Sequence, residues 1–426
     1  MPQGEKRRMS RKIWVYENWS SVNPILLGHL YVDKDKRTEK ILFEYDDEWL
    51  LNNGAGITLD PELYLYRGRQ YTPVGKQLFG VFSDSCPDRW GRLLLQRREA
   101  INAHKENRRP NKLLESDYLL GVYDAARMGA LRFSLDAGEH FESSDKALAT
   151  PPWVTLRKLE AAAVSFENDE DGLEEKWLNQ LLAPGSSLGG ARPKATVQGP
   201  DGALWIAKFP SKHDVYDSGA WEMTVHELAK MCGLNVPEAQ TETFSSNGTT
   251  FIVKRFDRAG KKRIHFSSAM TLLGKVDGEN DSSYLDIVAF IRSNGCTPKK
   301  DLLELWRRVV FSMAVNNTDD HLRNHGFIYT NHGWRLSPLY DVNPVPYGDS
   351  LSLLVDDNDS TVDIDLALET ARYYDIELSE AKIIVADMFR VVKENWRELA
   401  KKNGLSRNAI EKMCPAFRMA ESWIVD

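Results

Sequence analysis

One lysine constrains this chain more than any other residue. Lys208 stands in Leu204-Trp205-Ile206-Ala207-Lys208-Phe209, a strand-like run in which every neighbour is apolar. An ammonium taken out of water is costly unless it meets an anion. Either the lysine snorkels out at the strand end, or the fold brings an anion to it. The strand alone leaves both readings open. Its surroundings are specific, however. Gly185-Ser186-Ser187-Leu188-Gly189-Gly190-Ala191-Arg192-Pro193-Lys194 precedes a first strand, Ala195 to Gln198, and the turn Gly199-Pro200-Asp201-Gly202 leads into the second, Ala203 to Phe209. Asp217 and Ser218 then suit a helix N-cap. Trp221, Val225, Leu228 and Cys232 repeat at helical spacing until Gly233 offers a stop. Strand candidates Val236 to Phe244 and Thr250 to Phe256 follow.

A phosphate is an anion that would satisfy Lys208, and phosphoryl transfer needs four parts: a backbone cradle, a cation, oxygen ligands for a divalent metal, and a group that orients the attacking hydroxyl. Gly189 and Gly190 lack a Cβ, so successive amides there can form an anion nest. The loop matches neither G-x-x-x-x-G-K-[ST] nor G-x-G-x-x-G, and by itself a Gly/Ser loop is only a loop. Glu222, beside the apolar stripe of the following helix, is placed to pair with Lys208 as a strand lysine pairs with a helix glutamate in protein kinases; taken singly it reads as a surface glutamate. Farther on, Leu302, Leu305, Trp306, Val309 and Met313 line a helix that stops at Asn316-Asn317.

Beyond that stop, Asp319 precedes Asn324 by five residues, the separation of the kinase catalytic loop D-x-x-x-x-N. Asp319 would orient the hydroxyl and accept its proton, and Asn324 would hold metal. A hairpin, Gly326 to Tyr329 and Gly333 to Leu336, separates them from Asp341, a second carboxylate, which would bridge metal to the β- and γ-phosphates. Aspartates in loops are common, but all three follow the loop, the lysine and the helix glutamate in working order. Asp319 and Asp320 are adjacent; Asp319 has the right count to Asn324. His321, His325 and His332 invite a zinc or iron reading, but their spacing is not H-E-x-x-H and Lys208 would then have no role.

The net charge of −7 argues against extensive wrapping of nucleic acid. The basic start, with Lys6, Arg7, Arg8, Arg11 and Lys12, reads as a solvated tail over 1–12. Cys86, Cys232, Cys296 and Cys414 form no C-x-x-C pair, which fits a reducing cytoplasm. No apolar run approaches the roughly 18 to 20 residues of a membrane span, so a cytoplasmic protein without membrane partners is expected. The patterning predicts an α+β unit over 13–150, with strands Ile13 to Tyr16 and Lys40 to Tyr45 and a helix Arg92 to Ala100. It ends in the polar connector Leu135 to Pro152. A nucleotide-binding part over 151–260 follows, including the acidic run Glu167 to Asp171. A helical part over 261–426 closes the chain, notably Glu380 to Lys401 and Ser406 to Ser422.

Four segments, Ser187 to Lys194, Lys254-Arg255-Phe256-Asp257-Arg258, Thr318 to Asn324 and Leu339-Tyr340-Asp341-Val342, resemble the HipA family, the serine/threonine kinase toxins of bacterial toxin–antitoxin modules. The resemblance spans nearly the whole chain and includes Phe79 to Arg92, with Phe82-Ser83-Asp84-Ser85-Cys86-Pro87-Asp88. It implies a two-lobed kinase-like fold related to the phosphatidylinositol-kinase group, with a mixed α/β N-terminal part and a mainly helical C-terminal part. It also implies ATP and Mg²⁺ as cofactors, with Gly189, Gly190, Ala191, Arg192 and Lys194 over the phosphates and Lys208 binding them. Lys254, Arg255 and Phe256 would form the adenine hinge, with His321, Asn324 and Tyr340 as further nucleotide contacts. Asp319 would be the catalytic base, and Asn324 and Asp341 metal ligands. Ser187, with Ser186 as second choice, would be the autophosphorylation site; a phosphate there adds about −1.5 to −2 charge and repels ATP. The implied partners are a small helix-turn-helix antitoxin, with DNA met only through it, and a protein substrate such as an aminoacyl-tRNA synthetase. A small-molecule or lipid kinase of the same fold, or a silent ATP- or partner-binding regulator, are the competing readings; the intact Asp319, Asn324 and Asp341 argue against the last.

Overall fold

The structure, a computed structural model, describes residues 9–35, 38–53, 57–138, 140–141, 150–168, 178, 181, 190–279 and 281–423. Its first sheet holds β1 (Met9–Glu17), β2 (Ile25–Lys34), β3 (Glu39–Tyr45), β4 (Gln70–Tyr71) and β5 (Leu131–Ser134), in the order β4-β3-β2-β1-β5 and antiparallel throughout. Period-two alternation puts Ile41, Phe43 and Tyr45 on one buried face. There they meet Val32, Phe82 and Phe133. β1 starts at Met9, so Arg11 and Lys12 belong to the sheet and not to a tail; Lys12 lies 4.7 Å over the Trp14 ring. The predicted helix Arg92 to Ala100 runs longer, over Arg89–Lys105, because Asp88 caps it by accepting from the Gly91 amide at 2.9 Å.

A second antiparallel sheet holds β6 (Lys194–Gln198), β7 (Leu204–Lys208), β8 (Ala239–Ser245) and β9 (Gly248–Lys254) in the order β6-β7-β9-β8. Ala195, Val197, Ala207 and Ile252 turn one face onto Trp90 and Leu94 of the Arg89–Lys105 helix and onto Leu159 of the helix Leu156–Glu167. The N-terminal domain thus covers the back of this sheet. Against the sheet lies the helix Ser218–Met231, capped by Asp217 as expected. It presses close at Gly219, where a Cβ would stand 1.9 Å from the Thr249 carbonyl oxygen.

The apolar stripe of that helix faces the other way, into the helical lobe. Trp221 and Val225 share a core with Trp306, Val385, Trp396 and Phe417; the Trp396 and Phe417 rings stack at 4.2 Å. The hydrophobic core therefore does not divide at residue 260. A short ribbon pairs β10 (Arg258–Ala259) with β11 (Lys262–Arg263). A three-stranded sheet follows, made of β12 (Phe266–Ser268), β13 (Gly326–Thr330) and β14 (Gly333–Leu336). Helices Tyr284–Asn294, Pro298–Ala314 and Leu378–Lys402 build the lobe. The expected helix Ser406 to Ser422 breaks into Arg407–Met413, a 3₁₀ turn at Cys414–Phe417 and Arg418–Ser422. Pro415 has no amide to continue the ladder. Among the described residues the four cysteines are free and no helix is long and apolar enough to cross a membrane.

Candidate functional site

Lys208 ends β7 with its side chain buried, and it does not snorkel. Its Nζ donates to Glu222 Oε1 at 2.6 Å and to Asp341 Oδ1 at 2.7 Å. Glu222 reaches it because the Ser218–Met231 helix is held against the sheet at Gly219. Burial disfavours the Lys208 ammonium, but the Asp341 and Glu222 charges outweigh it and raise its pKa above the ordinary lysine value. Burial would likewise raise the Asp341 carboxyl. Lys208, helped by Lys194, instead holds it at about 2. At Glu222 burial wins over Lys208, and that carboxyl is pushed up. Asp341 sits at φ 59°, a left-handed conformation uncommon outside glycine.

The helix Pro298–Ala314 stops where Asn316 turns to φ 51° and its side-chain amide donates to the Val345 carbonyl at 2.7 Å. The paired aspartates then separate. Asp320 is buried: Tyr284 donates its hydroxyl to it at 2.6 Å, and His325 Nε2 lies 3.0 Å away. Burial pushes the Asp320 carboxyl up, but His325 and Tyr284 outweigh that and leave it below the usual range. Asp319 is exposed, and the Asn324 side-chain amide donates to its carbonyl at 3.0 Å. Loss of hydration among its neighbours raises the Asp319 carboxyl, His321 pulls it back, and Asp341 and then Asp320 raise it further. Asp319 and Asp341 therefore lie within each other's field. We expect Asp320→Ala to lower stability by about 2–4 kcal/mol in urea titration, because the Tyr284 hydroxyl and His325 ring would be left buried and unpaired.

Beside Lys208 opens a cavity lined mainly by apolar side chains, including Ile206, Val225, Phe256, Leu339 and Tyr340. Of the residues singled out in the sequence, Lys208, Glu222, Lys254, Arg255, Phe256, Tyr340 and Asp341 line it. Tyr340 stacks its ring on Phe256 at 5.7 Å and donates its hydroxyl to the Arg323 carbonyl at 2.7 Å. His321 precedes the 3₁₀ turn Leu322–Asn324, with its Nδ1 buried.

Several of the basic side chains named by the resemblance are held by protein partners. The Arg255 guanidinium is buried against Asp257 at 2.6 Å and the Arg127 carbonyl at 3.0 Å, which ties this cavity-lining segment to the N-terminal domain. Lys254 lines the cavity but points its ammonium outward to Glu238 at 3.1 Å. Arg192 turns to Asp214 and the Phe209 carbonyl. Lys194 is buried on Asp88 at 2.6 Å, where the N-terminal domain meets β6; its charge nonetheless reaches Asp341. Gly190 and Ala191 are exposed. Gly189, Ser187 and Ser186 lie outside the described residues. His321, His325 and His332 are not gathered, and no group of three metal-ligating side chains occurs among the described residues.

Two residues of the Phe79 to Arg92 stretch were given no role by sequence reasoning. Asp88 anchors Lys194. Asp84, four residues earlier, accepts from the Ser268 amide and hydroxyl, both at 2.8 Å, and so fixes the strand beside the Asp319 loop. Both aspartates are visible in the sequence, but their partners lie more than a hundred residues away and no spacing signals them.

The comparisons with known proteins accord with this architecture. Residues 21–134 match the HipA N-terminal domain and residues 186–421, more than half of the chain, match the HipA-like C-terminal domain. Protein Y4dM of Sinorhizobium fredii is 28% identical over 52% of this chain and 47% of its own length, and the serine/threonine-protein kinase toxin HipA of Shewanella oneidensis is 26% identical over 60% and 66%. The chain thus spans about half of Y4dM, and 35% of the related Y4mE. A chain in the solved complex of Shewanella oneidensis MR-1 HipA, HipB and operator DNA superposes with a TM-score of 0.65 at 16% identity, over 96% of this chain and 97% of that one, and so has the same fold. With both of its domains present in order along one chain, this protein belongs to the HipA family.

Proposed function

We propose that the protein is an ATP- and Mg²⁺-dependent serine/threonine protein kinase of HipA toxin type. One observation carries the reading: buried Glu222 and Lys208 form a hydrogen-bonded chain with half-buried Asp341 at the wall of an apolar cavity, and Asp341 lies within the electrostatic reach of an exposed aspartate, Asp319. The donor set suits the cofactors. Asn324 Oδ1 and the second oxygen of Asp341 make no hydrogen bond among the described residues, and they are the hard oxygens that Mg²⁺ takes. Bound Mg²⁺–ATP would supply the transferable phosphoryl group and neutralise charge on it. Within the protein, Lys208 places a fixed positive charge at the cavity wall, Glu222 holds that ammonium in position, and Phe256 and Tyr340 offer flat apolar surface to a base. Asp319 would serve as general base, accepting the proton of the attacking hydroxyl, with ADP as the leaving group of the transfer.

The shared fold with a chain of the HipA–HipB–DNA complex supports a helix-turn-helix antitoxin as partner, with DNA reached through it. Ser187, or Ser186 beside it, is the proposed self-phosphorylation site. Purified protein given Mg²⁺ and labelled ATP is expected to incorporate phosphate. Mass spectrometry should find it on the Ser186–Ser187 peptide, and Ser187→Ala should remove that label while activity toward other substrates persists. Label that stays on the same peptide at Ser186 would move the site by one residue; no incorporation into the protein or into any protein substrate would end the kinase reading.

A further inference from the structure

The segment that follows Asp341 carries an exposed aromatic ring to the edge of the Asp319 loop. Tyr347 is 78% exposed, yet the chain on either side of it is fixed. The Val345 amide donates to the Asn316 carbonyl at 3.1 Å. The Asn316 side-chain amide donates to the Val345 carbonyl at 2.7 Å and to the Gly348 carbonyl at 3.2 Å. Gly348 lies so close to the loop that a Cβ there would stand 2.8 Å from Thr318 Cγ2. The Ser352 amide and hydroxyl both donate to the Thr318 carbonyl, at 3.0 Å and 2.9 Å. Farther along, the Leu351 amide donates to the Ser360 carbonyl at 2.7 Å, and the Leu351 side chain is buried in the core of the helical lobe. Asn316 and Thr318 lead directly into Asp319. The backbone that carries Tyr347 and the backbone that carries the proposed base are therefore one hydrogen-bonded unit.

A second exposed apolar side chain lies near the same carboxylate. In the loop between β7 and the Ser218–Met231 helix, Tyr216 packs against the core of the helical lobe and Val215 beside it is 93% exposed. Burial raises the Tyr216 phenol, Arg192 lowers it, and Asp214 and Asp319 raise it further, so this loop lies within the field of Asp319. Single exposed apolar side chains are common and by themselves call for no ligand. A ring mounted on ordered backbone next to a reacting group differs from them, because tyrosine has few rotamers to lose on binding and is enriched where proteins meet. A small polar acceptor would leave both side chains in water, whereas a polypeptide laid past Asp319 would cover them. We propose that Tyr347 receives an apolar side chain of the protein substrate near the acceptor hydroxyl, with Val215 as a second apolar contact, and so selects which serine or threonine reaches Asp319. The inference rests on the kinase reading above and deepens it by giving the local chemistry of the substrate.

The test gives the full-length protein Mg²⁺, labelled ATP and a peptide library in which a central serine is fixed and the flanking positions are varied one at a time. Wild type is expected to select an aliphatic or aromatic residue within about four positions of the serine, an extended span of roughly 13 Å. For the selected peptide, Tyr347→Ala should raise KM, and the Kd read by fluorescence anisotropy without ATP, about five- to thirtyfold. Its kcat and its KM for Mg²⁺–ATP should stay within about twofold of wild type. Tyr347→Phe, which keeps the ring, should behave as wild type. The side chain is exposed, so its truncation leaves the core untouched. Wild type that shows no apolar preference at any position, or that labels itself and no peptide, overturns the inference and leaves the kinase reading standing. A Tyr347→Ala protein with an unchanged peptide KM, or with the loss in kcat instead, overturns it too, as does a Tyr347→Phe protein as weak as Tyr347→Ala. Wild type that transfers phosphate neither to itself nor to any peptide or protein overturns the kinase reading first, and this inference with it.

Discussion

Asp319→Asn is expected to lower phosphate transfer by about 10²- to 10⁴-fold, the usual contribution of a positioned general base, while leaving ATP affinity and the unfolding midpoint near those of the wild type. The side chain is exposed and accepts no hydrogen bond among the described residues; the Asn324 contact is to its carbonyl, which survives the substitution. Asp320→Asn serves as the contrast, because its carboxylate is tied to Tyr284 and His325 and its loss should appear first as lost stability. The pH dependence has a defined sign. Asp319 works only when deprotonated, and its carboxyl is raised, first by lost hydration and then by Asp341 and Asp320. Activity should therefore climb as pH rises through that raised value. His321→Gln, which removes the opposing influence, should shift the climb to higher pH. Transfer that is undiminished in Asp319→Asn would remove the residue from the reaction.

Lys208→Met should abolish activity and also destabilise the protein by about 3–5 kcal/mol, since it leaves Glu222 and Asp341 without the cation they share. Pairing it with Glu222→Leu should recover much of the stability, because two apolar groups replace a buried ion pair, and none of the activity. Urea titration of the single and double variants separates the two effects; a double variant no more stable than Lys208→Met would show that the buried carboxylate is not the cause. Acid sensitivity follows from the same network. The Asp341 carboxyl is held at about 2, below an unfolded value of about 3.9. Its contribution to stability is complete above that unfolded value and is lost as pH falls through the folded one. Glu222, raised by burial, has the opposite sign, so Asp341→Asn and not Glu222→Gln should flatten the stability profile below about pH 4.

Much of the fold is legible locally. The hairpin turn at Gly199 to Gly202, the Asp217 cap, the Gly233 stop at φ 72° and the stripe of Trp221, Val225 and Leu228 all lie where propensity and period place them. Where the reading failed, it ignored a local veto or a distant partner. Pro415 breaks the last helix through its missing amide. Arg255 and Lys194 took their nucleotide roles from the family resemblance alone; in the fold each side chain also finds a carboxylate, one two residues away and one 106 residues away, and no local pattern signals either partner.

Lys208 shows the division plainly. The sequence by itself determined that an ammonium among Trp205, Ile206 and Phe209 must either reach solvent or meet a negative charge, because burying a lone cation is too costly to leave uncompensated. It also determined the count from Asp319 to Asn324. Only the tertiary structure decided that the negative charge comes from Glu222 and Asp341 together, and that Asp320 is the buried member of the aspartate pair and Asp319 the exposed one. The reason is physical: side-chain type and period report what a residue requires, whereas which group supplies it depends on contacts between segments far apart in the chain, 133 residues in the case of Lys208 and Asp341.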